Sequence, residues 1–172
     1  MQSVIRVRNL YKLYHLGEET VRALDGVDFE IQKGEFCAIV GTSGSGKSTL
    51  LNMLAGLEKP TKGEVVISGC HLERMNEEQL VSFRRRRVGF IFQAYQLIAS
   101  MDAEENVALP LSFRGMKKRE RTLRTQRMLD RVMLGKYRKH FPNQMSGGQQ
   151  QRVGVARALV SDPEIIFAYE PT

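Results

Sequence analysis

One short segment, residues 41–49, constrains the fold of this chain more than any other. It reads Gly-Thr-Ser-Gly-Ser-Gly-Lys-Ser-Thr and fits the pattern G-x-x-x-x-G-K-[ST]. In a phosphate-binding loop, that pattern follows a buried strand and opens a helix. Both neighbours are predicted here, because residues 36–40 are apolar and residues 49–57 have a helical pattern. The segment therefore predicts a strand, a loop and a helix that together bind a nucleotide, and the alternative is a Gly/Ser-rich turn that binds nothing.

The residue types of this loop suit phosphate binding. Glycine, at three of its positions, lets successive backbone N–H groups turn towards phosphate oxygens. Lys47 is expected to reach the β- and γ-phosphates, and Ser48 offers a hydroxyl to Mg²⁺. A helix that begins near Lys47 would add the favourable dipole of its N-terminus. The candidate binding residues are Gly41, Ser43, Gly44, Ser45, Gly46, Lys47, Ser48 and Thr49.

A second anion-binding motif follows about 100 residues later, at Met145-Ser146-Gly147-Gly148-Gln149. Ser146 is a natural helix N-cap, and the glycine N–H groups can approach a phosphate at a helix start. Alone, the motif also fits a loop before a capped helix. Together with the first loop it resembles the signature of the ABC ATPases, Leu-Ser-Gly-Gly-Gln, with Met145 replacing leucine of similar volume. The resemblance adds Ser146, Gly147, Gly148 and Gln149 to the candidate binding residues.

Other residues match the same family in the same order, and the resemblance implies their roles. Tyr14 resembles the aromatic residue on which adenine stacks; Tyr11 is an alternative, and either also fits a plain strand aromatic. Gln93 resembles the Q-loop glutamine, which contacts Mg²⁺ and the attacking water. Glu170 occupies the place of the general base, after an apolar strand that is predicted to begin at Ile165.

The family resemblance implies an α/β fold: a P-loop NTPase core with an N-terminal antiparallel β subdomain and a helical subdomain, incomplete after the Walker B strand. We expect one nucleotide-binding domain over residues 1–172. Residues 1–93 and 160–172 would form the core and β subdomain, and residues 94–159 the helical subdomain with the signature. The chain is most similar to the ATP-binding subunits of lipoprotein-release and macrolide-export transporters.

The sequence departs from the family pattern in two ways. The family has an aspartate before the catalytic glutamate to hold hydrated Mg²⁺, and this chain has Tyr169, which brings no negative charge at neutral pH. An ordinary strand aromatic is the favoured interpretation of Tyr169. The family also continues past this point, through a strand that ends in a switch histidine. The sequence therefore predicts a C-terminally truncated domain whose catalysis is in doubt, and a catalytically inactive subunit is the alternative function.

The resemblance also implies the ligands and partners. ATP and Mg²⁺ would bind between two copies, so a second nucleotide-binding subunit is expected, identical or different, together with transmembrane permease subunits. The chain would lie peripherally on the cytoplasmic face of the membrane. Its net charge of +7 comes partly from basic residues within 84–87 and 114–131. A solvated helix face or proximity to anionic lipid accounts for these, and no nucleic-acid recognition motif is present.

Periodicity predicts the individual elements. Residues 4–14 and 21–31 read as an antiparallel pair, residues 64–67 and 88–92 as strands, and residues 36–40 as a buried strand. Helices are expected after Asn76 and from Gly147, and from residue 103 to about 137 with interruptions at Pro110 and Gly115. The predicted helix that carries the basic residues within 114–131 would have an apolar face formed by Leu123, Met128, Leu129, Val132 and Met133. Cys37 and Cys70 are expected to be reduced, buried thiols.

Overall fold

A computed structural model describes residues 3–169, and the chain divides into two compact units, Met1–Ser82 and Phe83–Thr172. The strands are β1 (Ser3–Leu16), β2 (Glu19–Gln32), β3 (Lys62–Ile67), β4 (Cys70–His71), β5 (Val88–Phe92) and β6 (Ile165–Tyr169). The helices are α1 (Lys47–Leu54), α2 (Glu77–Arg87), α3 (Ala103–Phe113), α4 (Lys118–Arg131) and α5 (Gly147–Leu159).

The first unit is an antiparallel sheet with the phosphate-loop helix, α1. Its strand order is β2-β1-β3-β4, and the long hairpin β1–β2 turns at Gly17, which has a positive φ of 63°. Alternation along β1 sends Val7 and Ile5 inward, where they are almost completely buried. Met53 and Leu54 of α1 are also buried. The predicted hairpin, the strand at 64–67 and the helix after the loop are confirmed.

The predicted buried strand at residues 36–40 is wrong. These residues have no regular secondary structure, and Phe36 and Val40 are 95% and 91% exposed. Among residues 3–169 no strand pairs with this segment. A strand is stabilised by its neighbours, so an apolar run without a hydrogen-bonded partner does not form one. Cys37 is exposed for the same reason, and its predicted burial is wrong as well; Cys70 is half-buried.

The second unit packs helices around a core and carries the parallel pair β5–β6. Its fully buried members include Val107 and Leu111 of α3, Leu129 of α4 and Val153 of α5. The strand 88–92, the helix from Gly147 and the strand from Ile165 are confirmed. Pro110 does not interrupt its helix as predicted, because α3 continues past it and Arg114 N–H donates to the Pro110 carbonyl. Burial of Val107 and Leu111, which flank Pro110 in α3, stabilises the helix against the missing N–H.

Two arginines of the basic run have structural partners. Arg114 donates to the carbonyl oxygens of Arg85, Arg86 and Ser161, at the ends of α2 and α5, and Arg124 donates to the Val160 carbonyl. A cation at a helix C-terminus satisfies unpaired carbonyls and the helix dipole. These two side chains therefore stabilise helix ends. The predicted apolar face is only partly correct, because Leu123 and Met133 are 50% and 76% exposed.

Candidate functional site

The phosphate-binding loop adopts a conformation that requires glycine at two positions. Gly44 and Gly46 have φ values of 81° and 86°. A Cβ at Gly44 would meet no atom within 4 Å, whereas a Cβ at Gly46 would lie 2.3 Å from the carbonyl oxygen of Ala23 in β2. The backbone of Gly46 thus packs directly against the first sheet, and this fixes where the loop ends and α1 begins.

The first turn of α1 is open to an anion. Gly46 occupies its N-cap position, no side chain caps it, and no acidic residue lies in that turn. Its N–H groups and the positive end of the helix dipole therefore favour a negatively charged ligand. Residues 41–45 and the Ser48 side chain are exposed to solvent. The glycine geometry and these free donors fit a phosphate group.

Lys47 lies across the loop. Its Nζ donates to the carbonyl oxygens of Gly41, at 2.9 Å, and Thr42, at 2.7 Å. An ammonium has three donors, so one remains for a ligand in this arrangement. The positive charge of Lys47 is thereby held beside the open turn of α1, where the sequence predicts the β- and γ-phosphates to lie.

The structure distinguishes Tyr14 from Tyr11, the two candidates for the aromatic residue that stacks on adenine. The Tyr14 hydroxyl donates to Glu58 at 2.9 Å, and its side chain also interacts with Thr49, in the first turn of α1. Burial is the main cause that raises the pKa of Tyr14, and Glu58 adds to it. The Tyr11 hydroxyl instead faces Gly26 of β2. Tyr14 is therefore the aromatic residue beside the phosphate-binding loop.

The second motif forms a capped helix start. The Ser146 hydroxyl accepts from the Gln149 N–H at 3.3 Å, and the Gln149 side chain accepts from the Ser146 N–H at 2.8 Å. This reciprocal arrangement is a capping box. Gly147 and Gly148 are exposed, while Met145 is buried in the core of the second unit, where it fills the position of the leucine in the family signature. The predicted N-cap role of Ser146 is confirmed.

Gln93 follows β5 directly and is exposed at the start of an unusual loop. Tyr95 and Gln96 both have positive φ values, 55° and 44°. Arg157 of α5 donates to the carbonyl oxygens of both residues, at 2.8 and 2.7 Å. Sequence reasoning missed Tyr95 and Arg157. A charged residue within an otherwise small and apolar stretch of α5, at 153–160, is the signal that could have indicated Arg157.

Tyr169 packs as an aromatic residue at the end of β6. It pairs in register with Phe92, their rings stack with centroids 5.6 Å apart and planes inclined by 18°, and the Phe90 ring lies 6.5 Å away. Burial raises the pKa of Tyr169 to about 12, so the phenol is neutral at physiological pH. The interpretation of Tyr169 as a strand aromatic agrees with this packing. Glu170, the predicted general base, lies outside the described residues.

Within residues 3–169, no group of three or more His, Cys, Asp or Glu residues is arranged to hold a metal ion. A search of the same residues for membrane spans finds no helix with the length and apolar character to cross a bilayer.

Comparison with known sequences places these motifs in one family. A profile of the ABC transporter family matches residues 24–172, which include both glycine-rich motifs. The chain belongs to the ABC transporter family. It is an ABC-type ATPase by that membership.

Several relatives carry ATP-binding roles in their names. An uncharacterised ABC transporter ATP-binding protein of Thermotoga maritima is 49% identical over the whole chain, which spans 74% of that relative. The lipoprotein-releasing system ATP-binding protein LolD of Chromohalobacter salexigens is 43% identical over 98% of the chain and 71% of the relative. The macrolide export ATP-binding/permease protein MacB of Hyphomonas neptunium is 48% identical over 98% of the chain, but the match spans only 26% of that longer protein.

A solved structure supports the same ABC fold. The ATP-binding cassette MJ0796, in a dimeric post-hydrolysis state bound to ADP and inorganic phosphate, superposes with a TM-score of 0.89 at 45% identity. The match covers 98% of the present chain and 74% of that one. The expected α/β fold of an ABC cassette is thereby confirmed.

Proposed function

We propose that this protein is the ATP-binding subunit of an ABC transporter, coupling ATP binding and hydrolysis to transport. One observation carries the proposal: the open first turn of α1, with the Lys47 ammonium held beside it and Gly46 packed against Ala23. A loop built in this way presents backbone donors and a cation to a polyphosphate.

The candidate residues would each bind a different part of the nucleotide or its metal ion. Residues 41–46 and Lys47 would hold the phosphates, and Tyr14 would stack on adenine beside Thr49. Mg²⁺, when bound, would neutralise phosphate charge. The Ser48 hydroxyl and Gln93 are its proposed protein ligands, and Glu170 is the proposed general base that orients water.

The exposed signature supports a second subunit. Ser146 to Gln149 start a capped helix whose glycines face solvent, as a motif that closes on the nucleotide of another subunit requires. We expect a homodimer or heterodimer of such subunits, docked on transmembrane permease subunits at the cytoplasmic face of the membrane. Export is the proposed direction, by analogy with relatives named for macrolide export and lipoprotein release.

The packing of Tyr169 favours a second candidate, a nucleotide-binding subunit that does not turn over. Its neutral phenol is stacked on Phe92, where the family has a carboxylate for Mg²⁺. Such a subunit would retain binding through Lys47 and Ser48, and would lack efficient hydrolysis.

Mg²⁺-dependent binding of a fluorescent ATP analogue, followed by phosphate release, tests both candidates. Binding that is lost in Lys47→Ala supports a nucleotide-binding subunit, while equal binding by both proteins would contradict it. Phosphate release by the natural chain favours the coupled ATPase. Release that occurs only in Tyr169→Asp favours the inactive subunit, because the substitution restores the metal-binding carboxylate.

A further inference from the structure

We propose that Arg157 is a positioning residue that locks the loop carrying Gln93 to α5, so that Gln93 and the signature start of α5 move together. The proposal rests on the proposed function, since it concerns residues assigned to the same ATPase reaction. All of the contacts that support it lie within the second unit.

The guanidinium of Arg157 donates hydrogen bonds to the carbonyl oxygens of two consecutive residues. Nη2 donates to the Tyr95 carbonyl at 2.8 Å and Nη1 to the Gln96 carbonyl at 2.7 Å. These distances lie in the short range that is typical of charge-assisted hydrogen bonds, which are stronger than those between neutral groups. A planar fork with two parallel donors fixes the direction of the loop as well as its distance from α5.

The loop that carries Gln93 requires these hydrogen bonds because its backbone is strained. Positive φ values at two successive non-glycine residues, Tyr95 and Gln96, are unfavourable, above all for a bulky side chain. Such a conformation persists only where surrounding contacts over-determine it. Arg157 supplies contacts to both residues, so the strained turn directly after Gln93 depends on α5.

Tyr95 extends the connection to the signature. A Cβ at Gly154 would lie 3.7 Å from the Tyr95 carbonyl oxygen, and a Cβ at Gly147 would lie 3.3 Å from the Tyr95 hydroxyl. Gly147 and Gly154 are about two helical turns apart, so Tyr95 runs along α5 to its first residue. Displacement of the loop would therefore change the contacts at the start of α5, where the exposed glycines of the signature lie.

The positive charge of Arg157 is partly buried and is compensated by its contact with the loop. Burial lowers the pKa of Arg157, and within residues 3–169 no carboxylate forms an ion pair with it. The cost of burying this charge is compensated by the two loop carbonyls and by the C-terminal end of α5, since Arg157 lies in its last turn. Lysine would keep the charge and lose the fork.

Hydrogen exchange tests the connection without any need for catalysis. Arg157→Lys should raise the exchange rates of amides 93–97 and of the first turn of α5 by about tenfold to a hundredfold, as expected for loss of a charge-assisted hydrogen bond. Arg124→Lys is the matched control, because Arg124 also donates to a backbone carbonyl, Val160, at the end of α5 without touching this loop. Unchanged exchange at 93–97, or the same increase in both variants, would overturn the proposal.

A double-mutant cycle tests the consequence for the reaction. Arg157→Lys should lower kcat while leaving the dissociation constant of the ATP analogue within twofold, with a larger loss in Arg157→Met. In a Gln93→Ala background, Arg157→Lys should have little further effect, whereas Arg124→Lys should remain additive. Full additivity of the Arg157 and Gln93 substitutions would contradict the proposed coupling. If the natural chain shows no turnover, the proposed ATPase fails, and the exchange experiment still decides the role of Arg157.

Discussion

Alanine at Gly46 should weaken nucleotide binding much more than alanine at Gly44. Both glycines have nearly the same positive φ, so both substitutions force an L-residue into the left-handed region at a cost of about 1–2 kcal/mol. This cost alone corresponds to roughly a fivefold to thirtyfold loss of affinity if the loop must regain its shape to bind phosphate. At Gly44 there is no further cost, because nothing lies within 4 Å of a Cβ there.

At Gly46 a second cost is added. The new Cβ would lie 2.3 Å from the Ala23 carbonyl oxygen, so the loop or β2 must move by roughly an ångström to reach an ordinary carbon–oxygen contact. That movement displaces the first turn of α1, whose N–H groups are the proposed phosphate donors. We expect affinity for the ATP analogue to fall by more than about a hundredfold in Gly46→Ala, since strain and displacement add.

The assay is a titration of each variant with the fluorescent ATP analogue, with circular dichroism to check that the sheet remains folded. The comparison between two glycines of the same φ isolates the contact with Ala23 from the backbone strain. Equal affinity losses in Gly44→Ala and Gly46→Ala would refute the argument, because they would mean that the contact with β2 has no influence on the loop.

Two further predictions concern stability. Asn106 is fully buried; its side chain accepts from Ile98 N–H and donates to the carbonyls of Ile98, Met101 and Asp102, so Asn106→Leu should lower the free energy of unfolding by about 2–4 kcal/mol, measured by urea denaturation. An unchanged midpoint would contradict this. Burial acts to raise the pKa of Glu73, but hydrogen bonds from backbone N–H groups and His71 outweigh it and lower that pKa overall. The carboxylate therefore stabilises the fold above the unfolded-state pKa of about 4.3, and this stabilisation is lost as the pH falls through the lower folded-state value. Glu73→Gln should accordingly be less stable than the natural chain at pH 7, with the difference closing below pH ~4 in thermal melts; a difference independent of pH would show that the charge is not responsible.

Sequence alone could predict those elements whose signals are local. Ser146 and Asn76 were identifiable as N-caps because a capping residue and its partner, Gln149 or Gln79, lie three positions apart, and both pairs form. The glycine pattern of the phosphate-binding loop is equally local. Its geometry follows from which backbone conformations each residue type can adopt.

The expectations that failed depend on distant partners. Residues 36–40 have the composition of a buried strand, but composition cannot show whether a neighbouring strand is available to them. Pro110 carries a strong local signal for a helix break, which burial of Val107 and Leu111 in the same helix overrides. The contact of Arg157 with Tyr95 joins residues 62 positions apart, and no pattern in the sequence connects them.

The open segment around Cys37 gives this protein a chemical probe of its own. Its thiol is exposed because residues 36–40 have no partner strand among the described residues, whereas Cys70, at the short strand β4, is half-covered. Alkylation of Cys37 relative to Cys70 would therefore report whether any added chain pairs with this segment. A polypeptide that pairs with this segment would protect Cys37 and leave Cys70 as an internal reference, so a simple mass measurement could follow that pairing.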